Sequence, residues 1–215
     1  MTPSIKMKLM RRPAKTAAAA VVASLLSVFL PAAPLPPAGA LPQAVKVGVV
    51  DFYALSPLGS YSGVIPERLA ADQLSALLER SGGGRFDVIS RAAMQEAEAT
   101  MRWQSADVLS FARLQALGRA VGADRLMVGW ITQLAVQSGG GGVNRSSADG
   151  GGDGPPSAFA SIVLQVFDEA QGRLIASTKQ SAEVSYGSTR ALLAARALQV
   201  VLERAFPDIV SKLGD

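Results

Sequence analysis

Asp51 closes the β-branched segment Val45–Phe52, and a carboxylate at the end of a strand is a group that acid–base hydrolysis can use. That chemistry needs a second acid at a suitable distance, and no spacing along the chain designates one. The plain reading of Asp51 is that it caps its loop or pairs with a cation. The chain holds no histidine and no cysteine. Their absence removes Ser-His-Asp and Cys-His nucleophilic systems, the usual zinc sites, and haem ligated by either residue. Gly59-Ser60-Tyr61-Ser62-Gly63 has the outline of a nucleophile elbow, but tyrosine holds the central position and no base is at hand, so it reads as loop. The runs Gly139–Gly142 and Gly150–Gly154 lack the Gly-Lys-Ser/Thr and the strand-to-helix setting of a phosphate cradle. Asp149 and Asp153 lack the further oxygen ligands and the spacing of a calcium loop. These residues predict no catalytic set, no cofactor and no metal, and hence a protein that is not an enzyme.

Binding is the remaining chemistry. Arg91, at the start of a helix, either faces a partner or is an ordinary surface cation. Trp103 and Trp130 are candidate interface anchors, because aromatic side chains are favoured in interfaces.

The elements that must position these residues follow from periodicity and punctuation. Val45–Phe52 reads as a central strand. Pro66 opens a helix carried by Leu69, Leu74, Leu77 and Leu78 and stopped by Gly82-Gly83-Gly84. Phe86–Ile89 is a short strand. Ser90 caps a helix whose apolar side holds Met94, Ala97 and Met101. Ser105 and Asp107 open the next helix, which runs through Phe111, Leu114 and Leu117 to Gly118 or Gly122. Arg125–Val136 is a longer strand. Gly139–Pro156 is too poor in apolar groups to offset the entropy of ordering and reads as a mobile loop.

Phe159–Phe167 and Leu174–Tyr186 are strands joined by hairpin chemistry at Asp168-Glu169-Ala170-Gln171-Gly172, the second half-exposed by its alternation. Its edge is the expected pairing surface for a partner strand. A final amphipathic helix starts at Ser188 as cap and is interrupted by Pro207. The expected architecture is α/β, a single mixed sheet flanked by helices.

Ahead of this domain, residues 1–40 differ in composition. Lys6, Lys8, Arg11, Arg12 and Lys15 precede an apolar run, Thr16–Leu30, then a Pro/Ala tract ending at Ala38-Gly39-Ala40. This is the order of a signal peptide, with cleavage expected near Leu41. The apolar run falls short of the ~20 residues that span a bilayer, although an uncleaved anchor is the alternative. The expected location is periplasmic or extracytoplasmic, without an N-terminal lipid anchor because there is no cysteine to carry one. Five of the 21 basic residues lie in this leader. The 16 that remain stand against 17 acidic residues, a net charge near −1, so the basic total argues for no nucleic-acid partner.

Val49-Val50-Asp51-Phe52, Phe86-Asp87-Val88-Ile89-Ser90-Arg91, Gly122-Ala123-Asp124-Arg125-Leu126-Met127-Val128-Gly129-Trp130-Ile131-Thr132, Asp168 and Gly172-Arg173-Leu174-Ile175 together resemble the CsgG-like envelope proteins, the curli production assembly/transport family. The same segments resemble relatives with TolB N-terminal-type and penicillin-binding-protein-activator-type periplasmic domains. The resemblance implies a non-catalytic role through an envelope or secreted protein partner, with self-association possible, and, for pore-forming relatives, an oligomeric outer-membrane secretion channel as the alternative. Two departures matter: the lipidated cysteine of the pore formers is missing, and Gly139–Pro156 and Tyr186 stand where their membrane hairpins would fall.

Overall fold

The computed structural model describes residues 43–56, 58, 61, 63–137, 155–185 and 187–213. The expected signal peptide, nearly all of the Gly-rich segment and Tyr186 lie outside the described residues.

Six strands form one mixed sheet, as the alternation of elements predicts. β1 (Val45–Val49) pairs in parallel with β3 (Phe86–Val88) on one side and with β4 (Arg125–Gln137) on the other. β5 (Ser157–Asp168) and β6 (Arg173–Val184) continue from β4 as antiparallel neighbours, giving the order β3-β1-β4-β5-β6. β6 is an edge, and its exposed Lys179, Ser181 and Glu183 alternate with buried Ala182 as expected of a half-covered strand.

The expected strand to Phe52 breaks earlier. β1 stops at Val49, and a two-residue β2 (Tyr53–Ala54) resumes pairing with β4 opposite Trp130 and Ile131. Between them the backbone N–H of Phe52 turns away from the sheet to the Glu67 carbonyl, and the Asp51 side chain is drawn toward arginines. Both pulls come from elements distant in sequence, so local β propensity could not register them.

Helix α1 (Pro66–Ser81) starts with proline at its first position and ends on Gly82. Helix α2 (Arg91–Thr100) is capped by the Ser90 hydroxyl, which accepts from the Ala93 N–H. The helix expected from Ser105 is two elements. Ser105–Leu109 is a 3-10 turn closed by reciprocal bonding between Gln104 and Asp107, and α3 (Phe111–Val121) begins afresh under a Ser110 cap. Gly122, at φ +67°, supplies the left-handed residue that ends α3.

Helix α4 (Arg190–Leu213) is capped by Thr189 rather than Ser188, and it does not stop at Pro207. Proline forfeits one backbone hydrogen bond, but position 207 and the Glu203 carbonyl four residues before it are on the solvent side. Ala205, Phe206, Ile209 and Leu213, on either side of it, stay buried on the sheet. Thr178 and Gln180 of β6 also donate to the Asp208 carboxylate, tying the turn after the proline to the sheet.

The two faces of the sheet carry separate cores. α1 and α4 cover the face bearing Val47, Val49, Met127, Ile131, Ile162 and Leu164. α2, the 3-10 turn and α3 cover the other around Met94, Leu114, Leu117, Leu126, Val128 and Phe167. This second layer ends partway across, and Gln133, Ala135 and Lys179 beyond it face solvent. No helix among the described residues is long and apolar enough to cross a membrane.

Candidate functional site

Two of the depressions among the described residues adjoin the candidate binding residues. The first is a cleft of about 410 Å3 at the carboxyl end of β1, where α1 departs on one face of the sheet and α2 packs on the other. In open α/β sheets, divergence of the connections at the ends of parallel strands is what leaves a crevice. Asp51 and Phe52 form its floor, Arg68 of α1 one side, and Gln95, Glu98, Arg102 and Trp103 the other.

Arg91 lies beneath this cleft and is committed to the fold. Its guanidinium donates to the Asp51 carboxylate, to the Val49 carbonyl at 2.6 Å and to the Asp72 carboxylate at 2.9 Å. One side chain thereby joins the end of β1, α1 and α2, with 17% of it exposed. Asp51 also lies 3.6 Å from Arg68, so its pairing with cations is the role the structure displays.

The second acid that sequence spacing did not designate is Glu98, which lines the same cleft. Burial first, and the Asp51 charge second, push its carboxyl up to about 7. Arg91, the Asp51 backbone N–H and Arg68 oppose that shift without cancelling it. Its Oε1 is buried and has no hydrogen-bond partner. A signal was present: Arg91, Gln95, Glu98 and Arg102 recur at i, i+4, i+7 and i+11, one row along α2 and its C-terminal turn, running beside the apolar Met94 and Met101. Such a row is ordinarily a solvated face, and only packing against β1 and α1 turns it into a cleft wall.

Trp103 stands at the cleft rim, half-buried, with the Arg113 guanidinium 5.7 Å from its ring centre. Arg113 also bonds the Met101 carbonyl and Asp107, and its hydrogen bond holds the Asp107 carboxyl below the usual range. Trp130 is elsewhere. It forms the base of the second depression, an apolar groove of about 360 Å3 where the helical layer ends, together with Val108, Val163 and Leu174. Leu55, Leu109 and Phe111 stand at its rim, 59%, 64% and 49% exposed. The three candidate binding residues are therefore not one site: Arg91 and Trp103 adjoin the polar cleft, and Trp130 the apolar groove.

The elbow-like segment has a structural use, since Tyr61 is buried and donates its hydroxyl to the Leu134 carbonyl, with burial raising its pKa. Asp149, Asp153 and the glycine runs lie outside the described residues. Among the described residues, no group of three or more acidic, histidine or cysteine side chains could hold a metal ion.

This architecture is that of an open, mixed α/β sheet with helices on both faces. No family model matches the chain, and no curated protein does. It is similar to the lipoprotein GNA1162 from Neisseria meningitidis at 16% identity and TM-score 0.50, over 78% of this chain and 99% of that one. Weaker likenesses are the LpoB C-terminal domain from Salmonella enterica (16% identity, 66% and 85% covered, TM-score 0.40) and the PelC dodecamer from Paraburkholderia phytofirmans (15%, 76% and 89%, TM-score 0.43). The first establishes a shared fold and the other two add no argument to it. The kinship shown is one of fold, and membership of the curli-assembly family does not follow from it.

Proposed function

We propose that this chain is a non-catalytic, exported binding and assembly module of the bacterial cell envelope, acting through protein–protein contact. The observation that carries this reading is the Trp130 groove. Three large apolar side chains exposed around one depression form a contact surface, whereas apolar residues scattered singly would not. The signal-peptide order of residues 1–40 and the lipoprotein name of the Neisseria neighbour support an envelope setting. The segments around Asp51 and Gly129 support a CsgG-like or activator-type periplasmic body within that class. In this reading the exposed Leu55, Leu109 and Phe111 meet the partner over Trp130, which is 8% exposed and floors the groove, while Trp103 and Arg91 belong to the polar cleft, where Arg91 holds the end of β1.

The test is fractionation of source cells carrying an epitope tag after Asp215, with mass determination and native sizing of the product. A chain beginning near Leu41 in the soluble periplasmic fraction is the expected result. Detergent-dependent rings in the outer membrane would instead establish the secretion-channel alternative.

A further inference from the structure

The polar cleft is unused by the groove-based reading, and its chemistry is specific. Glu98 Oε1 is a buried acceptor with no donor, a state that is costly unless something satisfies it. Asp51 beside it is already held by Arg91 and Arg68, so the vacant acceptor capacity is that of Glu98. Arg102, at the other end of the α2 row, is exposed, is the one non-glycine residue at positive φ (51°) among the described residues, and pairs with no carboxylate among them. Arg68, 60% exposed, is the second cation on the rim.

A purely cationic ligand would meet Arg68 and Arg102, and a purely anionic one would face Glu98 and Asp51. A ligand with both charges satisfies both kinds of group. The volume of about 410 Å3 is in the range of about 300–1,000 Å3 typical of small-molecule sites, and the position at the carboxyl end of a parallel strand is where open α/β sheets take ligands.

We propose that this cleft binds a small zwitterion of the amino-acid class, its ammonium donating to Glu98 and its carboxylate received by Arg102 and Arg68. Gln95 and Trp103 border the space left for the rest of the ligand. The ammonium prefers the ionised Glu98, so binding strengthens as pH rises through about 7. The groups that set this titration are Asp51 from the end of β1, Arg68 from α1 and Arg91 from α2.

The experiment is calorimetric titration of the full chain with alanine, leucine and glutamate at pH 8 and pH 6, with ethylamine and propionate as half-ligands. At least one amino acid should bind saturably at pH 8 and about tenfold more weakly at pH 6, following the ionised fraction of a group with pKa near 7. Glu98→Gln, which keeps the side-chain volume, should weaken binding and flatten the pH dependence. Arg102→Ala, at an exposed position, should weaken the amino acid while leaving ethylamine unchanged. Unaltered circular dichroism of both variants separates these effects from misfolding. Absence of saturable binding by all three amino acids, or binding indifferent to both substitutions, overturns the proposal. Ethylamine binding as tightly as the amino acids overturns its zwitterionic part. None of these outcomes bears on the Trp130 groove.

Discussion

The Phe52 ring lies against the backbone of Gly129, filling the space that a side-chain carbon at position 129 would occupy. Phe52 is 3% exposed and sits just where β1 gives way to β2, so the kink in that strand and the glycine in β4 are one feature. Gly129→Ala should therefore destabilise the domain by about 1–3 kcal/mol, as overpacking of a filled core does. Urea midpoints of this variant, of Phe52→Ala and of the pair should reveal strong coupling, because the smaller ring-less side chain relieves the clash. Additive costs would mean that the two residues do not share the space.

Asp168, 2% exposed, pairs with Arg125 at 3.0 Å and accepts the Gln171 N–H that shapes the β5–β6 turn. Truncating Arg125 to Ala leaves a buried carboxylate uncompensated, with an expected loss of about 3–5 kcal/mol. Replacing both residues with apolar ones of similar size should cost much less. Equilibrium denaturation of the single and double variants decides it; equal losses would mean that the pair is dispensable to Asp168.

Glu98 makes stability depend on pH in a direction unusual for an acid. Its folded pKa, about 7, lies above the ordinary value of 4.5, so the folded state binds more protons than the unfolded one between those limits. The corresponding stability is fully present below pH 4.5 and is lost as pH rises through about 7. Discounted for solvent screening, its size is about 1–2 kcal/mol. Glu98→Gln should be more stable than the parent at pH 8 and no more stable at pH 4. Denaturation curves at the two pH values that differ equally between the chains would contradict this.

Much of the fold was readable from residues whose effect is local. Ser90, Pro66 and Gly122 act through their own backbone or the next turn, and they mark helix ends where the sequence reading put them. The reading failed where distant elements decide, at the break at Val50–Phe52 and the passage of α4 through Pro207, and it passed over one local signal, the Ser110 cap that starts α3 afresh. The same distinction explains the site. Arg91 was visible as a cation, but its three acceptors come from β1 and α1, and Glu98 became visible only when α2 was packed against them. The family-like segment at Gly122–Thr132 turns out to hold the fold together: Gly122 caps α3, Asp124 bonds the Lys46 backbone in both directions, and Gly129 admits Phe52.

The most direct test of the binding role is a photo-crosslinking side chain at Leu109, on the rim of the Trp130 groove, in the chain expressed in its source cells. The same side chain at Glu203, on the solvent face of α4, serves as control. The account predicts a discrete adduct with an envelope protein from position 109, absent from position 203 and abolished by Leu55→Glu, which alters a rim residue 59% exposed and should leave the melting temperature nearly unchanged. Identical adducts from both positions, or none from position 109, would contradict it.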